Sequence, residues 1–425
     1  MSIVSEDDGR EYIQGWRVAV TLTALFLVSL ISQIDRILPF VMAEAIKADL
    51  ALGDTGVGLL TGAAFAVCYT LLSLPLARAS DRGSPRLVIA LCTLLWSTMT
   101  ALGGFAASFL FLAFTRFGVA FGEAGATPAG HAIIARKINP EHRGLAIALF
   151  ALGLPLGTMV GFAGGGAVSD ALGWRAALIG AGVAGAAIGL LALAIISPTP
   201  PIRTRVTRSE PFFRASYRLL SSANFRWLFV GAIIGSFAAA PFYAFAAPFL
   251  IRTHGYSASE AGLAFGLLQG LMGILGTLIG GRWFDRAVRS GSGKLLGPPA
   301  ILFLVASTTT AAALFASIGW LSILLLVPSM LSFAFLLPWG FGAAHLVAGK
   351  GKEAMASSLV MIGSGLFGPA IGPLIVGLIS DAATRAQMPN GLAIGMLTVP
   401  VASAVTGIVL LIANRRIAAS LRRSW

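Results

Sequence analysis

A chain of 425 residues that is 57% hydrophobic and only 11% charged cannot cover soluble domains with polar surface; a globular protein carries about 25% charge. Its formal charge of +13 would point to nucleic acid in a soluble protein, but here it must first be read against membrane topology. The two cysteines, Cys68 and Cys92, lie in apolar runs and exclude a disulfide scaffold or a zinc site.

Residues 1–17 are polar and acidic (Glu6, Asp7, Asp8, Glu11), so no cleavable signal is expected there. A bilayer-crossing helix needs about 20 mostly apolar residues. Twelve runs fit, at approximately 18–42, 56–76, 87–107, 110–135, 145–168, 176–197, 227–251, 261–281, 295–318, 320–348, 356–379 and 391–413. Span 1 carries Asp35 and Arg36, span 4 carries Arg116 and Glu123, and His131 follows eight residues later. The loop after span 2 reads Ala77-Arg78-Ala79-Ser80-Asp81-Arg82-Gly83-Ser84-Pro85-Arg86.

The longest loop, 198–226, separates six spans from six and holds six arginines against one acid, Glu210. Arg214 and Arg218 stand four apart beside Phe213, Tyr217 and Leu220, the pattern of a helix lying in a headgroup interface. In the second half, span 7 brings Phe242, Tyr243 and Phe245, and span 10 brings Phe335, Trp339 and Phe341. Gln269 and His345 are the main candidates there for hydrogen-bonding a sugar acid, and Gly281-Arg282-Trp283-Phe284-Asp285-Arg286 ends span 8. Residues 414–425 form a basic tail.

Assigning both termini and the five loops on their side to one face gives that face 24 Lys and Arg, against four on the other: Lys47, Arg175, Arg252 and Arg385. The positive-inside rule then puts both termini in the cytoplasm and absorbs the basic excess without nucleic acid.

Only Asp35, Arg36, Arg116 and Glu123 fall well inside spans, where ionisable groups are costly and usually mark an ion or substrate path. Arg116 and Glu123 are two turns apart on one face, and Asp35 reaches a depth similar to that of Arg116, so those two can pair. Desolvation disfavours a buried carboxylate anion and a nearby arginine favours it. Asp35 and Glu123 are therefore the expected protonation sites, with Arg116 as the switch. Arg36 points about 100° away from Asp35 and is a candidate for an anionic substrate.

The halves repeat. A shift of 204 residues lays Asp81-Arg82 on Asp285-Arg286, Gly58-Leu59 on Gly262-Leu263 and Gly62 on Gly266. A shift of 211 lays Gly157, Gly161 and Gly166 on Gly368, Gly372 and Gly377, and Ser169-Asp170 on Ser380-Asp381. Parallel repeats of this kind build transporters with a site between the halves.

Two six-helix halves, a basic central loop and Asp-Arg turns after spans 2 and 8 resemble the major facilitator superfamily. The superfamily's loop motif, Gly-x-Leu-Ala-Asp-Arg-x-Gly-Arg-Arg, is matched at Asp81, Arg82 and Arg86 but departs at Ala77 and Ser84. Ile34-Asp35-Arg36-Ile37-Leu38-Pro39, Arg116 to Ala124 and Gly153-Leu154-Pro155-Leu156-Gly157 are similar to bacterial spinster-like members, a group associated with proton-dependent transport of lysolipids and sphingoid lipids. The Asn-Tyr that often precedes the Asp-Arg pair is Ser32-Gln33 here. The same charge spacing occurs in organic-anion and sugar-acid symporters.

The resemblance implies an all-α membrane protein of 12 transmembrane helices in two pseudo-symmetric bundles, 18–197 and 227–413, with a cytoplasmic segment 1–17, linker 198–226 and tail 414–425. It implies proton coupling at Asp35, Glu123 and Arg116, and substrate contact at Arg36, Arg116 and Glu123, to which the aromatic content adds Tyr243 and Trp339. Gating would fall to Asp81, Arg82, Arg86, Asp285 and Arg286, with Asp81 facing the start of span 11 and Asp285 the start of span 5. The expected protein is a proton-coupled carrier of a lysolipid or sphingoid-like amphiphile; organic-anion symport and drug efflux are the alternatives, and a membrane enzyme or channel is the other class. No cofactor beyond protons, no metal and no nucleic acid are expected, and a monomer in the inner membrane is. Four scattered histidines and no nucleotide loop argue against an enzyme.

Overall fold

The computed structural model describes residues 12–198, 212–290, 295–348 and 353–421. Parts of the expected terminal segments and of the linker thus lie outside the described residues. Among the described residues every regular element is helical, the form in which an apolar segment satisfies all its backbone groups internally. Span 1 is Trp16–Val41, span 3 Pro85–Gly103 and span 4 Phe109–Lys137. Span 7 is Ala223–His254, span 8 Ala258–Arg289, span 9 Gly297–Leu314, span 10 Gly319–Ala348 and span 11 Glu353–Arg385. Span 2 joins Asp54–Gly58, a π-helical turn Leu59–Ala63 and Ala64–Arg82; span 12 joins Gly391–Met396 and Thr398–Leu421.

Eleven helical stretches are long and apolar enough to cross a membrane, against twelve spans read from the sequence. The difference is one residue. Spans 5 and 6 run on as Gly153–Ile195, broken only at Gly173, whose φ of 86° and ψ of 158° are open to glycine and strained for any other residue. Trp174 and Arg175 pin the reversal by donating to Asp49, on the short helix Ala43–Asp49.

With an even number of spans, both described ends of the chain lie at one face, called terminal here; the other is distal. The halves meet along two seams, span 2 against span 11 and span 5 against span 8. Both seams need glycine. A Cβ on Gly58 or Gly62 would strike the carbonyls of Pro373 or Pro369, and one on Gly262 would strike the carbonyl of Phe162. Pro373 has no N–H to offer the Pro369 carbonyl, so that oxygen is free to face span 2. The linker helix Phe212–Ser221 is strongly amphipathic: Arg214, Tyr217 and Arg218 are exposed, and Leu219 is buried with Phe225, Leu359 and Val360.

Candidate functional site

Three of the four intramembrane charges are sealed from solvent. Asp35 is 0% exposed, Glu123 1% and Arg116 5%. The Arg36 side chain keeps 32% of its surface accessible, the most open of the four. Charges this dry survive only when neutralised or hydrogen-bonded.

Their pairing follows from helix rotation. The Arg36 side chain crosses from span 1 to span 4 and donates through Nη2 and Nε to Glu123 Oε2, at 2.8 and 3.2 Å. Its guanidinium also lies over two rings of span 2, 4.7 Å from the Phe65 centroid and 5.1 Å from that of Tyr69, where cation–π attraction holds it. Asp35, on the next bearing of the helix, turns instead to span 3 and accepts from Thr100 Oγ1 at 3.2 Å. The side chain of Arg116 donates to the main-chain carbonyl of Asp35 at 3.3 Å, and its guanidinium stands 5.7 Å from the Phe65 ring centroid.

The sequence reading placed Arg116 between the two carboxylates. The structure gives Glu123 to Arg36, and Arg116 meets the backbone rather than the carboxylate of Asp35. Equal depth was right, but azimuth decides the partner. Asp35 Oδ1 and Glu123 Oε1 have no hydrogen-bond donor among the described residues, so each carboxylate keeps one oxygen open to a proton. Phe65, Tyr69 and Thr100 were missed, because uncharged residues in an apolar span carry no mark of their own.

The remaining candidates disperse. The Tyr243 ring packs against Phe242 and Phe333, with centroids 5.8 Å away in each case. Trp339 is 1% exposed and sits edge-on to Phe284 at 5.3 Å. Phe242 and Phe245 are fully buried, so most of the expected aromatic wall is bundle core. His345 shares a 2.6 Å hydrogen bond with Ser357, and His131 is exposed against Phe150.

At the terminal face, Arg86 donates to the Leu193 carbonyl within its own half, at 3.0 Å from Nε. Asp285 and Arg286 are exposed, and Asp285 makes no hydrogen bond to the start of span 5. The side chains of Asp81 and Arg82 lie outside the described residues.

Side-chain contacts between the halves appear at the distal face, where the Ser-Asp repeat lies. Asp381 at the end of span 11 accepts from the backbone N–H of Asp54 and Thr55, which open span 2, at 2.8 and 2.9 Å, and from Thr55 Oγ1 at 2.6 Å. Asp170 at the end of span 5 accepts from the backbone N–H of Ser259, at the opening of span 8, at 2.7 Å. The 204-residue shift lays Thr55 on Ser259, and the 211-residue shift lays Asp170 on Asp381. The two staples are therefore one contact built twice. Each sets a carboxylate on the positive end of a helix across a seam between halves.

Asp54, 1% exposed, adds a knot beneath the first staple: Lys47 at 2.6 Å, Arg252 at 2.8 and 2.9 Å, and the Ser380 hydroxyl. Arg252 also holds Glu44. Among the described residues, the side-chain hydrogen bonds that join the halves all lie at this face.

Comparison with known proteins agrees with this architecture. The family model of the Major Facilitator Superfamily matches residues 25–373. An MFS-type efflux pump of Mycolicibacterium smegmatis is 34% identical over 369 residues, 87% of this chain and 86% of that protein. Human protein spinster homolog 1 is 25% identical over 426 residues, 91% of this chain and 78% of that protein. The crystal structure of a bacterial homologue of the human lysosomal transporter Spinster, inward-facing and occupied, matches with a TM-score of 0.81 at 25% identity, covering 97% of this chain and 98% of that one.

Proposed function

The chain belongs to the major facilitator superfamily and is a multi-pass membrane transporter, not an enzyme, and from that premise we propose that it is a proton-coupled carrier of an amphiphilic small molecule with an anionic head. The observation that carries the reading is the buried pair of Glu123 with the accessible Arg36. An anionic headgroup arriving at Arg36 competes with Glu123 for the guanidinium. Glu123, losing its counter-charge in a dry site, then takes a proton, so substrate and proton load together. Asp35, held by Thr100 with one oxygen open, is the second protonation site, and Arg116 fixes the span 1 backbone beside it.

In this reading the basic terminal face is cytoplasmic, the membrane is the inner one, and the stapled distal face is the closed outer gate. The carrier is a monomer whose coupling ion is the proton, needing no other cofactor and no nucleic acid. The preferred cargo is a lysolipid or sphingoid-like lipid recognised through its phosphate, its tail along the apolar C-terminal half near Tyr243, since Trp339 is closed within the bundle. A sugar-acid or other organic anion is the second reading, favoured by the arginine itself, which binds any small carboxylate as readily.

Reconstituted protein tests both levels. Saturable uptake driven by a proton gradient, together with counterflow, is the carrier result; flux without either is the channel result. Asp35→Asn and Glu123→Gln should each abolish proton uptake on substrate addition, and unchanged coupling in both sinks the mechanism. Thermal stabilisation by sugar acids alone, with none from lysolipids, selects the second reading.

A further inference from the structure

At the terminal face, the start of span 1 and the turn between spans 4 and 5 enclose a groove of about 380 Å³ that transport leaves unused. Its composition changes with depth. Gln14, ahead of the helix, and Asn139 and His142, in the turn, supply the polar end. Val18 and Leu22 of span 1 face Leu145 and Ala146, which open span 5, along the rest.

Trp16 to Leu22 is about 9 Å of helix at 1.5 Å per residue. One headgroup layer is roughly 5–8 Å thick, so the lower part of the groove reaches acyl-chain depth. Trp16, 72% exposed at the helix start, marks the interface level.

The walls are fastened by main-chain contacts. The Ile13 N–H donates to the Lys137 carbonyl at 3.0 Å, and Arg143 Nε donates to the Ile138 carbonyl at 3.0 Å. Three cations, Arg17, Lys137 and Arg143, stand one residue from the lining positions Val18, Ile138 and His142, against one acid, Glu141.

We propose that this groove holds an anionic phospholipid of the leaflet at the terminal face, one acyl chain along Val18, Leu22 and Leu145 and its phosphate at Gln14, Asn139 and His142. A free anion would leave the apolar floor wet, and an uncharged lipid would make no use of the basic rim.

Full-length protein in bilayer nanodiscs, labelled with phosphatidylglycerol carrying a photoactivatable acyl chain, tests it. Cross-links should concentrate on residues 13–22 and 138–146, exceeding those of the matching phosphatidylcholine probe about fivefold for each cation that meets the headgroup. Leu145→Trp, at an exposed position, should abolish that labelling while the thermal midpoint stays in place. Arg17→Gln leaves the floor intact and should lower only the phosphatidylglycerol to phosphatidylcholine ratio, which keeps the test decisive if the first variant folds poorly. Equal labelling by both probes, or labelling indifferent to both substitutions, overturns the proposal. So does protection of the groove in lipid-free detergent, which would assign it to the chain's own N-terminal residues.

Discussion

Removing the Asp381 carboxylate should open the distal face. Asp381→Ala deletes three hydrogen bonds to a carboxylate, two of them from N–H groups of a helix start that have no partner within the helix. Charge-assisted bonds contribute about 1.5–3 kcal/mol and a helix-end carboxylate up to ~2, with overlap between the two. Water replaces much of this once the face opens, so we take about 2–3 kcal/mol as the preference lost by the distal-closed state. At 1.4 kcal/mol per tenfold, the closed-to-open ratio falls roughly 30- to 150-fold. Asp170→Ala removes a single 2.7 Å bond and should shift the ratio less, about tenfold. Spin labels at positions 51 and 386, both exposed on the distal face, read the change as a growing long-distance population in double electron–electron resonance. Because both staples bias one two-state equilibrium, the double variant should show the sum of the two free-energy shifts. A distance distribution unchanged in Asp381→Ala, with only a lower thermal midpoint, would refute the reasoning and leave the staple as ordinary structure.

Other substitutions probe the rest. Gly62→Val drives a side chain into the Pro369 carbonyl; overpacking of about 1–3 kcal/mol should fall on the closed seam alone and raise the same long-distance population. Arg36→Lys keeps the charge but not the two-nitrogen contact with Glu123, and substrate affinity measured by calorimetry should weaken about 5- to 10-fold. Arg252→Ala strips a buried carboxylate of one cation, and a cost of about 3–5 kcal/mol should appear as a clear drop in thermal midpoint, which Arg252→Lys partly restores. Leu219→Asp should detach the linker helix from the C-terminal half, seen as proteolysis within 212–221.

The spans were legible because hydropathy is a property of each segment alone. The join of spans 5 and 6 was legible as the polar gap 169–175, but that a single glycine, Gly173, carries the reversal inside an otherwise continuous helix was not. The intramembrane charges were equally legible, since depth in hydrocarbon is costly for any charge wherever its partner lies. Their pairing depends on how spans 1 and 4 are rotated and on a ring, Phe65, supplied by span 2. Depth arithmetic constrains one coordinate of three. Both repeats were visible, and the Ser-Asp pair makes contacts across the seam that its sequence does not announce. Asp381 works only because Asp54 begins a helix there, a fact of tertiary placement.

The buried quartet also has an electrical meaning. With Asp35 and Glu123 ionised, their charges cancel those of Arg36 and Arg116. The unloaded core then carries no net charge, and a change of access moves none through the membrane field, where each unit would cost about 2.3 kcal/mol per 100 mV. One proton and one monoanion, taken together, restore the same zero. Either leg of such a cycle is blind to voltage, whereas a zwitterionic cargo with one proton moves a full positive charge. At a stoichiometry of one proton, the current measured across a clamped bilayer therefore reports the valence of the cargo before the cargo itself is known.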